Sequence, residues 1–265
     1  MRIHVEGVGL AGPGLTGWPA SRAVLAGNAP YRPAPTAVAA SELLPPAERR
    51  RAGMPVKLAL AAGGEALAAC ARDPAEAATV FASSSGDCEN VHHMLETLAT
   101  TERQISPTRF HNSVHNAPAG YWSIATQCRA PSTSLACRDA SFSAGLLEAA
   151  CQAAAGGAAV ALIAYDHPYP EPLNAVRTIL ADFGVALVLA RDASGRSLAA
   201  LDVAFVPEDA PATALADGGL EALRLGVPAA RSLALLGALA RGSRETVIVE
   251  YVTGTHLRVE VAPCA

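Results

Sequence analysis

No stretch of this 265-residue chain interleaves clustered basic residues with aromatics, and its formal net charge is only -4. The electrostatic footprint of a nucleic-acid binder is therefore missing. The one basic run, Arg49-Arg50-Arg51, stands near the start of an expected helix and reads as a solvated face. The six cysteines (Cys70, Cys88, Cys128, Cys137, Cys151, Cys264) form no C-x-x-C pair, which argues against a disulfide framework. Scattered thiols in a chain of this length point to a reducing, cytoplasmic setting. The first residues, Met1 to Glu6, open as a strand without the apolar core of a signal peptide. The long uncharged apolar stretch 149–165 is broken by Gly156-Gly157 and reads as a helix end plus a buried strand, not a membrane span. Gly7-Val8-Gly9-Leu10-Ala11-Gly12 matches G-x-G-x-x-G in letters only, because Pro13 follows and no helix opens there. Dinucleotide binding is excluded, and no cofactor is expected. Cys88, His92, His93, His111 and His115 supply ligand types. Adjacent histidines diverge on a helix, and Pro118 weakens the helix that 111–115 would need, so no metal site is expected.

What is present is a large apolar share, 51% hydrophobic against 17% charged, enough for one domain or two intimately packed halves. Residues 3–8 read as a first strand, and a short helix is expected around 20–26. A long helix follows Pro45-Pro46 toward Cys70, kinked or divided at Pro55. Residues 78–82 form a strand that opens into Ser83-Ser84-Ser85-Gly86-Asp87. Helices are expected over 90–98 and 116–126, with a connection at 105–108. Residues 132–136 are a short strand, Asp139 or its neighbour starts a helix reaching Ala155, and 158–164 is a continuous apolar strand. Strands at 185–190 and 199–206 are joined by Arg191 to Arg196, which reads as a hairpin loop. Helices over 219–225 and 229–240 precede a last strand pair turning at Thr253-Gly254-Thr255. The alternation implies an α/β fold with a mixed sheet, and paired strands closing both parts hint at two related halves.

The run Ala130-Pro131-Ser132-Thr133-Ser134-Leu135-Ala136-Cys137-Arg138-Asp139 is a strand entering a helix, where orphan N–H groups and positive potential suit a nucleophile. It resembles the lead-in of ketoacyl synthases, whose nucleophilic cysteine falls at the position held here by Asp139. Transfer of an acyl chain from a thioester calls for a thiolate, so Asp139 is read as a degenerate nucleophile position and as the N-cap of the helix. Cys137 is the alternative nucleophile, or a small buried hydrophobe at a strand end. Leu43 to Arg51, Phe81 to Asp87 and Ser106 to Ile124 resemble further segments of ketosynthase-like chains, in order. The third is similar in particular to a short family described as chain-length factors of aryl polyene and xanthomonadin-type pathways.

The resemblance implies a thiolase-like layered α/β/α fold over 1–265, with a thiolase-type half at 1–170 and a shortened half at 171–265. It places His115 and Asn116 at a partner interface, with Tyr121 and Trp122 as aromatic anchors there or in the core. Catalytic relatives also use two histidines from the second half, one in a His-Gly-Thr motif; after His167 this chain has only His256, read as an ordinary strand residue. The function implied is a non-catalytic subunit that pairs with an active ketosynthase and shapes its acyl tunnel, with an acyl carrier protein delivering the chain. The Ala-rich helix after Asp139 is the expected tunnel wall, and an obligate partner is expected to cover the shortened sheet. Two other readings are an acyltransferase or thioesterase using Cys137, and a homodimeric scaffold.

Overall fold

Nine strands join in one mixed sheet in the computed structural model, which describes residues 1–264. The strands are β1 (Arg2–Gly12), β2 (Leu15–Thr16), β3 (Ala78–Ala82), β4 (Ser132–Leu135), β5 (Val160–Asp166), β6 (Phe183–Ala190), β7 (Ala199–Pro207), β8 (Glu245–Glu250) and β9 (Thr255–Pro263). The helices are α1 (Trp18–Leu25), α2 (Pro46–Arg51), α3 (Met54–Ala69), α4 (Cys88–Leu98), α5 (Pro107–Asn112), α6 (Ala117–Thr126), α7 (Ser141–Gly156), α8 (Leu173–Val176), α9 (Gly218–Gly226) and α10 (Leu233–Arg241). Two 3-10 turns, Arg138–Ala140 and Pro228–Ser232, lead into α7 and α10. Pro55 divides the expected long helix, and falls in the first turn of α3, where its missing N–H costs nothing. The expected connection at 105–108 is instead the entry to α5.

The strand order is β4-β3-β5-β6-β1-β7-β9-β8, with β2 on the flank of β1. β4, β3 and β5 run parallel, and every other pairing is antiparallel. The hairpin expected around 191–196 does not form. β1 lies between its two strands: residues 4–11 pair with β6, while residues 2–5 pair with β7. β6 follows residue 170 yet sits between β5 and β1, so the five strands of the first half draw on both sides of that position.

The first-half sheet is covered on both faces. β5 and β6 are buried at every residue, as strands between two helical layers must be. α3 lies against β1, β6 and β5 on one face and α7 against β5 and β3 on the other. α3 comes this close to β1 because a side chain at Gly7 or Gly9 would strike the backbone carbonyls of Ala66 and Ala62.

The second half is built differently. β7, β9 and β8 bury one face under the apolar cluster that includes α9 and α10, while alternate residues turn outward. That outer face holds Asp202, Arg258 and Glu260, with Arg2 paired to Asp202 at 2.7 Å. Its alternation is that of a sheet wet on one side, so the expected need for a partner to hide the shortened sheet is not met. About the β1/β7 contact, the trio β1-β6-β5 is mirrored by β7-β9-β8. β3 and β4 continue the first trio, whereas among the described residues no strand continues the second.

Candidate functional site: a helix entrance and an open sheet edge

The C-terminal ends of β3, β4 and β5 point at the same end of the molecule, where α4 and α7 begin. Arg138 holds a left-handed backbone (φ 49°), making a sharp elbow between β4 and α7. Such a conformation costs a non-glycine residue of order 1–3 kcal/mol and marks a position that the surroundings over-determine. Ser141 secures it, accepting from the Cys137 backbone N–H at 2.9 Å and donating to the Arg138 carbonyl at 2.7 Å.

Asp139 sits on this elbow, but it does not cap α7. Ala140 occupies the N-cap position without a side-chain bond. The Asp139 carboxylate instead accepts from Arg177 at 2.9 Å, and Arg177 also donates to the Tyr169 hydroxyl at 3.1 Å with its guanidinium over that ring. The expected cap is lost because a guanidinium from the β5–β6 connection competes for the carboxylate and gives a charge-assisted bond. Burial, partly opposed by the bond to the Ser85 carbonyl and by Arg177, pushes the Cys88 thiol at the start of α4 upward, away from thiolate.

Cys137 is half-buried and free. Among the described residues no hydrogen bond joins a histidine ring to a thiol. His115 donates to the Ser83 carbonyl at 3.0 Å, and the His4 and His256 rings bond backbone carbonyls. His92 and His93 meet Glu96. Burial pulls the His167 ring down, but bonds to Asp182 and Glu89 outweigh it and favour the imidazolium. His111 only packs edge-on to Tyr121. No thiol–imidazole pair is built. Among the described residues no three His, Cys, Asp or Glu side chains converge as a metal set.

α7 was expected to offer its alanines to a tunnel wall, and three of them turn inward instead. Its alanines 149, 150 and 153 are 0% exposed and fill the core between the sheet and the second half. Sequence reading also missed Asp166, 1% exposed at the end of β5. Its carboxylate accepts from the Ser84 N–H (2.8 Å), the Ser84 hydroxyl (2.7 Å) and the Ala229 N–H (2.8 Å). It thus ties the β3 exit to the turn before α10. The available signal was a charged residue closing a continuous apolar run.

A second feature flanks the entrance. β4 is the outer strand of the sheet, and residues 131 and 135 turn their carbonyls toward β3. Ser132 and Ser134, at the alternate positions, present their N–H and C=O groups to the open side. Beside them is a groove of about 500 Å³ lined by His115, Asn116, Ala119, Gly120 and Ser123. It shares Asn116 and Gly120 with an apolar groove of about 350 Å³ at Phe110 and Val114, which are 65% and 50% exposed. His115 and Asn116 line the first groove, beside the open edge. Tyr121 and Trp122 do not. They are 1% and 2% exposed on the inner face of α6, with Trp122 edge-on to Phe81 and Tyr121 donating to Asn112.

No curated protein sequence matches the chain. Among solved structures, it superposes with a TM-score of 0.75 on the ketosynthase ApeO in complex with its chain length factor ApeC from Xenorhabdus doucetiae. Identity there is 22%, with 98% of this chain and 99% of the other covered. The ishigamide ketosynthase/chain length factor gives 0.72 at 18% identity, with all of both chains covered. AntDE:AntF, a type II PKS acyl-carrier protein in complex with its ketosynthase, gives 0.73 at 12% identity and 99% of each chain. These likenesses make the fold thiolase-like. The model of the beta-ketoacyl synthase N-terminal domain matches residues 18–245, and the chain accordingly belongs to that family.

Proposed function

We propose that this chain is a non-catalytic, chain-length-factor-type subunit that pairs with an active β-ketoacyl synthase in the elongation of a polyene or fatty-acid-like chain. The observation that carries this reading is the helix entrance, where a carboxylate ion-paired to Arg177 occupies the nucleophile position and no imidazole meets a thiol. A carboxylate so held cannot take an acyl group from a thioester as a thiolate does. The structures that resemble the chain are of ketosynthases with a chain length factor or an acyl-carrier protein, which supports both partners. The open edge at Ser132 and Ser134, with His115 and Asn116 beside it, is the proposed interface; a strand added there would satisfy the free backbone groups. The reading takes 1–265 as one domain, working in the cytoplasm, where its free thiols stay reduced.

Co-purification with ketosynthases encoded in the same gene neighbourhood tests the pairing. A stable one-to-one complex is expected; a homodimer that ignores every candidate would replace the reading with a scaffold. Mass spectrometry after incubation with an acyl thioester tests the silence of the site. No adduct on Cys137 is expected, and an adduct accompanied by turnover of the isolated chain would make it a cysteine enzyme. Asp139→Cys is expected to give no condensation by the chain alone, because the rings of His115 and His167 are already held, by the Ser83 carbonyl and by Asp182 and Glu89.

A further inference from the structure

We infer that the α7 entrance of this chain is latched shut, the Asp139–Arg177 pair pinning the β5–β6 connection across it so that no carrier-borne acyl chain enters through this subunit. The inference rests on the chain-length-factor reading and says how the silent site is closed.

The first residues of α7 are sealed: Ser141 is 1% exposed, Phe142 and Ser143 0%, and Ala140 before them 6%. Three covers meet there. Ser143 donates at 2.6 Å to the Glu250 carbonyl at the end of β8, and the Glu250 carboxylate is held in turn by Arg224 at 2.8 Å. The turn Pro228–Ser232 packs on the turn Arg138–Ala140 and is fastened by Ala229 to buried Asp166. The third cover is Arg177, which bridges Asp139 and Tyr169.

The first two covers belong to the core, since Asp166 and Arg224 are 1% and 4% exposed. Only the third lies at the surface, with the Asp139 side chain 48% and that of Arg177 24% exposed. Between its two anchored ends the connection that carries it is thinly packed. α8 has no buried residue, and Val176 is 82% exposed. Tyr169, 8% exposed, anchors one end of this segment and Ile179, 1% exposed in the core, the other, and Arg177 holds the stretch between them. The position that bears the nucleophile in catalytic relatives is therefore put to a positioning task, and its carboxylate fits that task because it must face a guanidinium.

Hydrogen exchange and iodoacetamide labelling of the full chain test this, with Cys137 as reporter, exposed Cys151 as internal reference and buried Cys70 as unfolding sentinel. Asp139→Asn and Arg177→Gln are each expected to raise exchange across 168–182, and Cys137 labelling relative to Cys151, by about five- to tenfold. The swapped pair, Asp139→Arg with Arg177→Asp, is expected to bring both back toward the wild-type rates. Unchanged rates in single variants that keep Cys70 protected would overturn the latch. Should Arg177→Gln expose Cys70, Asp139→Asn decides alone, since it removes one half-exposed charge. Co-purification with the ketosynthase is read on the same variants. Retained pairing with unchanged exchange defeats the latch only, whereas a wild-type chain that never pairs defeats the functional reading itself.

Discussion

Asp166 is a carboxyl group whose ionisation the core resists. Burial pushes its carboxyl up to about 6, although bonds from Ser84, Ala229 and Ser83 pull the other way. An unfolded aspartate titrates near ~4, so between about 4 and 6 the folded chain holds a proton that the unfolded chain has lost. This group's contribution to stability therefore falls as pH rises through that window and is level above it. Urea midpoints measured across the window should show the decline, and Asp166→Asn should flatten it. Asp166→Ala leaves buried donors without an acceptor and should cost about 2–4 kcal/mol at neutral pH. None of this is local in the chain. The donors come from positions 83, 84 and 229, so sequence reading could note the carboxylate but not its partners. Asp139 shows the same divide. Its place at the elbow was legible from the lead-in motif, while its partner stands 38 positions further on, which hid the ion pair behind the simpler expectation of a helix cap.

Between elements, the tightest constraint is the seating of α3 on β1. Gly9→Ala forces a methyl group into the Ala62 carbonyl, and the strand or the helix must move. Destabilisation of about 1–3 kcal/mol is expected by thermal or urea melting, with the pairing to a ketosynthase preserved in whatever fraction stays folded. The edge strand should behave in the opposite way. Ser134→Pro removes an N–H that faces no strand of this chain, so stability should change little while partner binding in a pull-down is lost. A Ser134→Pro chain that still pairs normally would move the interface elsewhere. Sequence reading put Tyr121 and Trp122 near this edge and the structure buries them. An Ala, Gly and Ser-rich helix does not declare which face is inner, and only Gly63, which leaves room for the Trp122 ring, reveals it. Trp122→Ala should therefore act through folding, costing about 3–5 kcal/mol, with no separate effect on pairing once stability is accounted for.

For the whole molecule, one apolar cluster runs from Val8 and Leu187 through Phe142 and Leu146 to Leu235, Val247 and Val259. Both halves thus share a core, and a fragment ending at residue 190 should not fold. Its circular dichroism and amide exchange are expected to lack a cooperative transition, and a protected 1–190 fragment would divide the chain into two domains instead. The α/β class was legible from runs of apolar residues and their spacing. The insertion of β1 between β6 and β7 was not, because pairing across almost 200 positions leaves no trace in neighbouring residues.

The far end of the sheet bears on stoichiometry. Thr213 takes both the N–H and the C=O of Ile248 on the outer side of β8, and Ser143 takes the C=O of Glu250, so the middle of that border is already bonded. With that border part-stoppered, extension by strand addition is favoured at β4. An added strand there completes a pair, and the bonded β8 border works against propagation into a filament.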